Sequence, residues 1–233
     1  MNNAEKFIEI YNQIDKVLSK SGNGKYETFS AKIKNSTNRI IIRFKEKLID
    51  YGNLRNAIAH NPKIGGKPIA FPLDEVVSDF EEILIIIKNP PKVYPKFHCD
   101  IVGAKKDDKL DGVLKEMREK SLSQIPVFDN GKVIEVVNTN TISRWLGRNM
   151  DNESIVQENP TIGELFEDIE FEKNYKFIAK NCDIYSAHNH FIEQLEKHNR
   201  NLDALFITQT GKENETILGI ITVADITKLT KPK

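Results

Sequence analysis

The chain has 233 residues, 34 basic against 34 acidic side chains and 39% apolar residues, the composition of a water-soluble globular protein with room for two modest domains. Its longest aliphatic run, residues 83–87, is far short of the roughly 20 residues that cross a bilayer, and residues 1–20 are too charged for a secretory signal; a cytoplasmic protein without a membrane partner is expected. Cys99 and Cys182 belong to no Cys-x-x-Cys or Cys/His spacing, so free thiols are expected and neither a disulfide framework nor a metal site is indicated.

In chain order, Phe7, Ile10, Tyr11, Ile14, Val17 and Leu18 recur at helical spacing, as do Ile40, Ile41, Phe44, Leu48, Tyr51 and Leu54. A further helix is predicted from about Leu73 to Lys88, with Pro72 before it and Asn89-Pro90 to stop it. Residues 1–90 therefore read as an all-helical bundle of three to five helices. The zero net charge hides an asymmetry: residues 1–96 hold 16 Lys/Arg against 11 Asp/Glu, and residues 97–233 hold 18 against 23. The most basic stretch carries Lys25, Lys32, Lys34, Arg39, Arg43, Lys45 and Lys47, which suits either a solvated helix face or a surface that follows a phosphate backbone.

Within this region Leu54-Arg55-Asn56-Ala57-Ile58-Ala59-His60-Asn61-Pro62 brackets an apolar helical turn with polar groups. Asn56 and His60, four apart, share a helix face, while Arg55 lies about 100° round the axis. Arg can hold a phosphate in a fork and His can move a proton near neutrality, the two needs of RNA cleavage by its own 2′-hydroxyl. The string resembles the Arg-Asn-x3-His form of the motif of the HEPN superfamily (higher eukaryotes and prokaryotes nucleotide-binding). That resemblance implies a dimeric, metal-independent endoribonuclease with Arg55, Asn56 and His60 as its candidate catalytic residues, or an inactive binding module. The same residues also suit a plain helix end, with His60 favoured by the helix dipole, and both readings stand.

Asn89-Pro90-Pro91-Lys92-Val93-Tyr94-Pro95 places three prolines in seven residues, which no helix interior or central strand tolerates; residues 91–96 are read as a linker. Beyond it a β-α-β-β-α pattern occurs twice. The first copy, residues 97–150, has a strand at Ile101 to Ala104, a helix at Leu110 to Lys120, strands at Ile125 to Phe128 and Val133 to Val137, and a helix from Thr139 to Gly147. The second, residues 175–230, has Tyr175 to Ala179, Ile184 to Lys197, Ala204 to Thr208, Ile217 to Thr222 and Val223 to Leu229 in the same order. Residues 151–174 join them through a linker helix opened by Thr161 and Glu164 at capping-box spacing. The fold class is α+β, and two such small units are expected to pack sheet to sheet and leave clefts.

Ser123-Gln124-Ile125-Pro126-Val127-Phe128-Asp129-Asn130-Gly131-Lys132-Val133-Ile134 and Leu218-Gly219-Ile220-Ile221-Thr222-Val223-Ala224-Asp225-Ile226 resemble the two diagnostic stretches of cystathionine beta-synthase (CBS) domains, and the tandem resembles a Bateman module. The resemblance implies a regulatory sensor of an adenosine ligand, AMP, ADP or ATP, with no metal. The family's nucleotide signature falls on Gly219, Thr222 and Asp225: a glycine for close backbone approach, a hydroxyl beside helix-N-terminal amides for phosphate, and a carboxylate for ribose hydroxyls. Thr222 and Asp225 also have the spacing of a capping box. By the same analogy Ile101, Val102 and Gly103 would line the adenine and Ser123 would complete the site. The first copy has Glu135, Asn138 and Thr141 at the signature positions, so its cleft, lined by Phe177 to Ala179 and Asp203, is expected to bind weakly or stay empty.

The resulting expectation is an adenine-nucleotide sensor controlling a homodimeric HEPN-like domain. Its alternatives are a nucleotide-regulated endoribonuclease with RNA as partner, and an inactive dimeric scaffold.

Overall fold

The computed structural model describes residues 2–20, 27–60, 68, 70–151, 154–155 and 159–230. Lys25, in the basic stretch, and Asn61-Pro62, at the end of the Arg-Asn-x3-His string, lie outside them. The chain divides into two compact units, Met1–Pro91 and Lys92–Lys233.

The first unit is helical: α1 (Asn3–Lys20), α2 (Phe29–Lys34), α3 (Arg39–Arg43), α4 (Lys45–His60) and α5 (Asp74–Lys88). The α1 stripe of Phe7, Ile10, Ile14 and Leu18 is buried against Val77, Phe80, Ile83 and Leu84 of α5 and Leu48 and Ile58 of α4, as an i, i+3, i+4, i+7 apolar face requires. Phe7, Phe80 and Tyr51 form its aromatic centre, with ring centroids 4.7 to 5.7 Å apart. The second predicted helix is broken at Phe44, whose φ of −98° and ψ of 14° end α3. Three consecutive β-branched isoleucines, Ile40 to Ile42, are poor helix formers, so α3 lasts only five residues.

The second unit contains the two repeats. In the first, β1 (Ala104–Lys105) pairs in parallel with β2 (Gln124–Asp129), and β2 pairs antiparallel with β3 (Lys132–Asn138). The helices α6 (Leu110–Glu119) and α7 (Thr139–Asn149) complete the unit. Asn130 and Gly131, both at positive φ, form the two-residue turn that matches the twist of a hairpin. A short pair, β4 (Met150–Asp151) with β5 (Ser154–Ile155), and a 3₁₀ helix over Ile162–Asp168 lead to the second repeat. At the start of that helix Thr161 donates to Glu164 Oε2 from its N–H at 2.6 Å and from its hydroxyl at 2.9 Å.

In the second repeat β6 (Tyr175–Ala179) pairs in parallel with β7 (Ala204–Thr208), β7 pairs antiparallel with β8 (Gly219–Ile221), and α8 (Ile184–His198) and α9 (Val223–Thr230) complete it. The α+β class holds, and the second copy repeats the strand order and pairing senses of the first.

Each repeat has its own core. Trp145, 2% exposed, packs with Met117, Val127 and Leu165 in the first, while Val93 joins Phe191, Leu205 and Ile226 in the second. A further apolar cluster joins Val136 of β3 to Ala204 and Phe206 of β7, with Tyr175, Phe177 and Ile220 against it. The seam between the repeats is thus filled there by three rings, with centroids 5.5 to 5.8 Å apart. Burial of this kind contributes roughly 1.5–3 kcal/mol per large apolar side chain.

Candidate functional site

The strand β8 is followed immediately by the first turn of α9, which places the signature residues at a strand-to-helix junction. Asp225 Oδ2 accepts the Thr222 N–H at 2.9 Å and the Thr222 hydroxyl at 2.7 Å. In return the Asp225 N–H bonds to the Thr222 carbonyl at 3.2 Å. The carboxylate therefore caps its own helix. Asp225 is exposed, and its Oδ1 accepts no hydrogen bond among the described residues. One oxygen holds the turn, and the other has no hydrogen-bond donor among the described residues.

Gly219 opens β8, three residues before Thr222, and is buried. The group that approaches it is the chain's own backbone: the Phe97 carbonyl oxygen occupies the place a Cβ would take. His98 forms a bridge with Gly219, and its Nδ1 lies 2.6 Å from the Leu218 carbonyl, so Nδ1 carries the proton and donates. The glycine is required here by chain packing, not by open space for a ligand.

Ile101, Val102 and Gly103 are corrected from strand to unpaired extended chain; the paired strand is only Ala104–Lys105, opposite Val127 and Phe128. The Phe128 ring lies where a Cβ on Gly103 would stand, and the next position of β2 opposite Gly103 is Pro126, which has no N–H to extend the ladder. Ser123 is exposed, and its hydroxyl donates to Gln124 Oε1 at 3.2 Å. Among the described residues no hydrogen bond ties Ser123 or Ile101 to Gly103 to Thr222 or Asp225.

The opposite cleft is bridged directly. Asn138 Nδ2 donates across the seam to Asp203 Oδ1 at 3.0 Å, while its Oδ1 caps α7 by accepting the Thr141 N–H at 2.9 Å. Asn174 Nδ2 donates to Asp203 Oδ2 at 3.1 Å, and Gln124 Nε2 donates to the Asp203 carbonyl at 2.5 Å. Burial pushes the Asp203 carboxyl above its usual range, partly offset by the Asn138 and Asn174 bonds. Both oxygens are thus engaged by amides from two repeats.

In the helical unit Arg55, Asn56 and His60 do converge. Arg55 Nη1 lies 2.7 Å from His60 Nε2 and donates to Asn56 Oδ1 at 3.3 Å. A guanidinium has no acceptor, so His60 Nε2 is the lone-pair nitrogen and Nδ1 carries the proton. The guanidinium sits 4.8 Å above the Tyr11 ring, and its Nε is buried without a hydrogen bond. Of the basic stretch, Lys32 is paired with Asp15 at 2.8 Å and Lys47 with Asp79 at 2.7 Å. Among the described residues no group of three His, Cys, Asp or Glu could hold a metal ion, and no helix is long and apolar enough to cross a membrane. Cys99 and Cys182 are free, and burial pushes the Cys182 thiol up to about 11.

Residues 97–148, nearly all of the first repeat, match the CBS domain. No curated protein matches the chain. Among solved structures, the chain is similar to the CBS domain of a CBS domain containing membrane protein from Sphaerobacter thermophilus, at 18% identity and a TM-score of 0.45 over 66% of this chain and 97% of that one. It is also similar to protein MJ1225 from Methanocaldococcus jannaschii, at 16% identity and a TM-score of 0.45 over 77% and 63%. A third is the CBS domain pair of protein MJ0100 in complex with 5′-methylthioadenosine and S-adenosyl-L-methionine, at 16% identity and a TM-score of 0.43 over 60% and 95%.

Sequence reasoning missed what joins the first repeat to the second. Gln124 and Asn138 look like ordinary strand and cap residues; Asp203 is legible as a residue of that cleft, but not as their shared partner. Glu135 is 5% exposed and spans the same seam, both its oxygens accepting the Lys173 N–H at 3.0 and 2.9 Å and Oε1 also the Val136 N–H at 2.9 Å. Burial raises its carboxyl above 4.5, against the opposing pull of the Lys173 and Val136 bonds; Glu172 and Asp203 nearby raise it further. The folded state therefore binds this proton more tightly than the unfolded chain, so stability falls as pH rises from 4.5 through the folded value. Glu135→Gln is expected to flatten that decline. Urea midpoints of the two proteins at pH 4.5 and pH 7 check it, and parallel pH dependences would show that Glu135 is not the titrating group.

Proposed function

We propose that the second unit is a CBS pair that senses an adenine nucleotide, one ligand being held at the Thr222–Asp225 turn, and that it regulates the helical unit to which it is joined. The observation that carries this reading is the division of labour in the Asp225 carboxylate, with Oδ2 spent on the α9 cap and Oδ1 accepting no hydrogen bond among the described residues. A vicinal ribose diol is a suitable donor to such an oxygen, and the amides at the start of α9 suit a phosphate. The match of residues 97–148 to the CBS domain and the repetition of its topology by residues 175–230 support the same reading. The Asn138–Asp203 bond across the opposite cleft favours one occupied site over two.

Thermal unfolding of the full chain with AMP, ADP, ATP, S-adenosylmethionine and cyclic di-AMP tests it. At a ligand concentration 100 times its Kd the folded state gains about 2.7 kcal/mol, which raises the midpoint by several degrees. If none of the five moves the midpoint, the sensor reading fails.

A second reading is favoured by the 2.7 Å contact between Arg55 and His60. Here the helical unit is a metal-independent endoribonuclease acting as a homodimer. His60 Nε2, the lone-pair nitrogen, accepts the 2′-hydroxyl proton once Arg55 turns to the scissile phosphate; the 2′-oxygen bonds to phosphorus as the bond to the 5′-oxygen breaks, water protonates the leaving 5′-oxygen, and Asn56 orients the guanidinium. Incubating RNA with wild type and His60→Ala in the presence of EDTA should give cleavage by wild type alone. Absence of cleavage by wild type overturns the enzyme reading and leaves the helical unit as a regulated binding module.

A further inference from the structure

The residues that follow the proline-rich segment do not behave as a free linker. Val93 has no exposed surface and lies in the core of the second repeat with Ile184, Leu202, Leu205 and Ile226. Its N–H bonds to the Cys182 carbonyl at 2.9 Å. Lys92 bridges Asp183, the residue whose side chain caps α8 by accepting the Tyr185 and Ser186 N–H groups at 3.0 and 2.9 Å. Phe97 packs on the same core, and the far end of the segment is the His98 bridge to Gly219. The segment precedes the first repeat in sequence yet is built into the second, anchored at the α8 cap and at the strand that delivers the ligand turn.

From these contacts we propose that residues 92–98 are a strap that controls the Thr222–Asp225 turn: seated, it holds β8 and the turn in place, and released, it loosens them. The proposal rests on the nucleotide reading for its biological purpose and supplies the regulation of that site. The physical reason is local. Gly219 begins a strand of three residues whose ladder partner is β7 and whose other backbone pairing among the described residues, at the Gly219 end, is the bridge to His98 of the strap. With the strap gone, β8 keeps its pairing to β7 but its first residue loses the His98 bridge and the His98–Leu218 bond. A tug at Pro90–Pro91 arrives at Lys92 and Val93 by covalent continuity. By linkage, a ligand that binds the turn more tightly with the strap seated must tighten the strap to the same extent.

Amide hydrogen exchange on the full chain tests the strap without any ligand. Val93→Ala removes its anchor, and His98→Ala is a milder variant at an exposed position that deletes the Leu218 bond and the edge contact with the Tyr94 ring. Val127→Ala, equally buried but in the first repeat, is the control. Val93→Ala should speed exchange about tenfold or more at the strap and at residues 219–226 while the β2–β3 amides stay as in wild type; His98→Ala should do the same to a smaller extent. Val127→Ala should do the reverse. The strap is overturned if its release leaves residues 219–226 unchanged, or if Val93→Ala and Val127→Ala speed all amides of the unit alike.

AMP added to wild type should slow exchange in the strap. AMP bound with no change there overturns the coupling, whereas AMP failing to bind counts against the nucleotide reading alone and leaves the three-variant comparison to decide the strap.

Discussion

Phe206→Ala is expected to destabilise the second unit by about 3–5 kcal/mol, read as a fall in the urea midpoint of the full chain. Phe206 has no exposed surface and its ring meets Tyr175 and Phe177 at 5.5 and 5.6 Å, facing Val136 of the other repeat. Removing it empties the middle of the seam and strips contacts from both sheets at once. By contrast, Tyr175→Phe keeps the ring and loses only its hydroxyl's bond to the Val133 carbonyl at 3.2 Å, a change of about 0.5–1.5 kcal/mol. The comparison bears on function. A seam closed by rings has no room for a nucleotide at that cluster; a cost below about 1 kcal/mol for Phe206→Ala would mean that the rings do not fill it.

The second large effect concerns ligand affinity and separates the two tasks of Asp225. Asp225→Ala removes the α9 cap, costing about 0.5–2 kcal/mol of stability, and removes the ribose acceptor as well. Asp225→Asn keeps a side-chain oxygen for the Thr222 N–H but puts an amide NH2, a donor, in the place of Oδ1. Its unfolding midpoint should stay near wild type while AMP binds roughly tenfold or more weakly, because a charged acceptor is replaced by a group that cannot accept. Calorimetric titration of both variants decides it. An Asn variant that binds AMP as wild type does would reduce Asp225 to a helix cap.

The Arg55–His60 pair shows how far neighbouring residues on one helix can be read in advance. Spacing alone brought Asn56 and His60 to one face of α4, because a helical repeat is a local property. That Arg55 swings across to meet His60, while stacking on Tyr11 from α1, depends on a residue 44 positions away in the chain. The same distinction separates Thr222 from Gly219. The capping bond between Thr222 and Asp225 follows from a three-residue spacing. The need for glycine at 219, by contrast, comes from Phe97, which no local pattern connects to it.

Local order was therefore legible: the α1 and α5 stripes, the repeated β-α-β-β-α succession, the Asn130-Gly131 hairpin and both capping turns are consequences of periodicity and turn chemistry acting within a few residues. Tertiary structure alone decided the rest: that Val93 closes the second core, that Ile101 to Gly103 stay unpaired beneath Phe128, that Asp203 is shared between amides of two repeats, and that Glu135 is buried on a seam. Each of these joins side chains remote in sequence, and such contacts are selected by volume, burial and unmet hydrogen bonds in the folded chain, quantities that have no one-dimensional period.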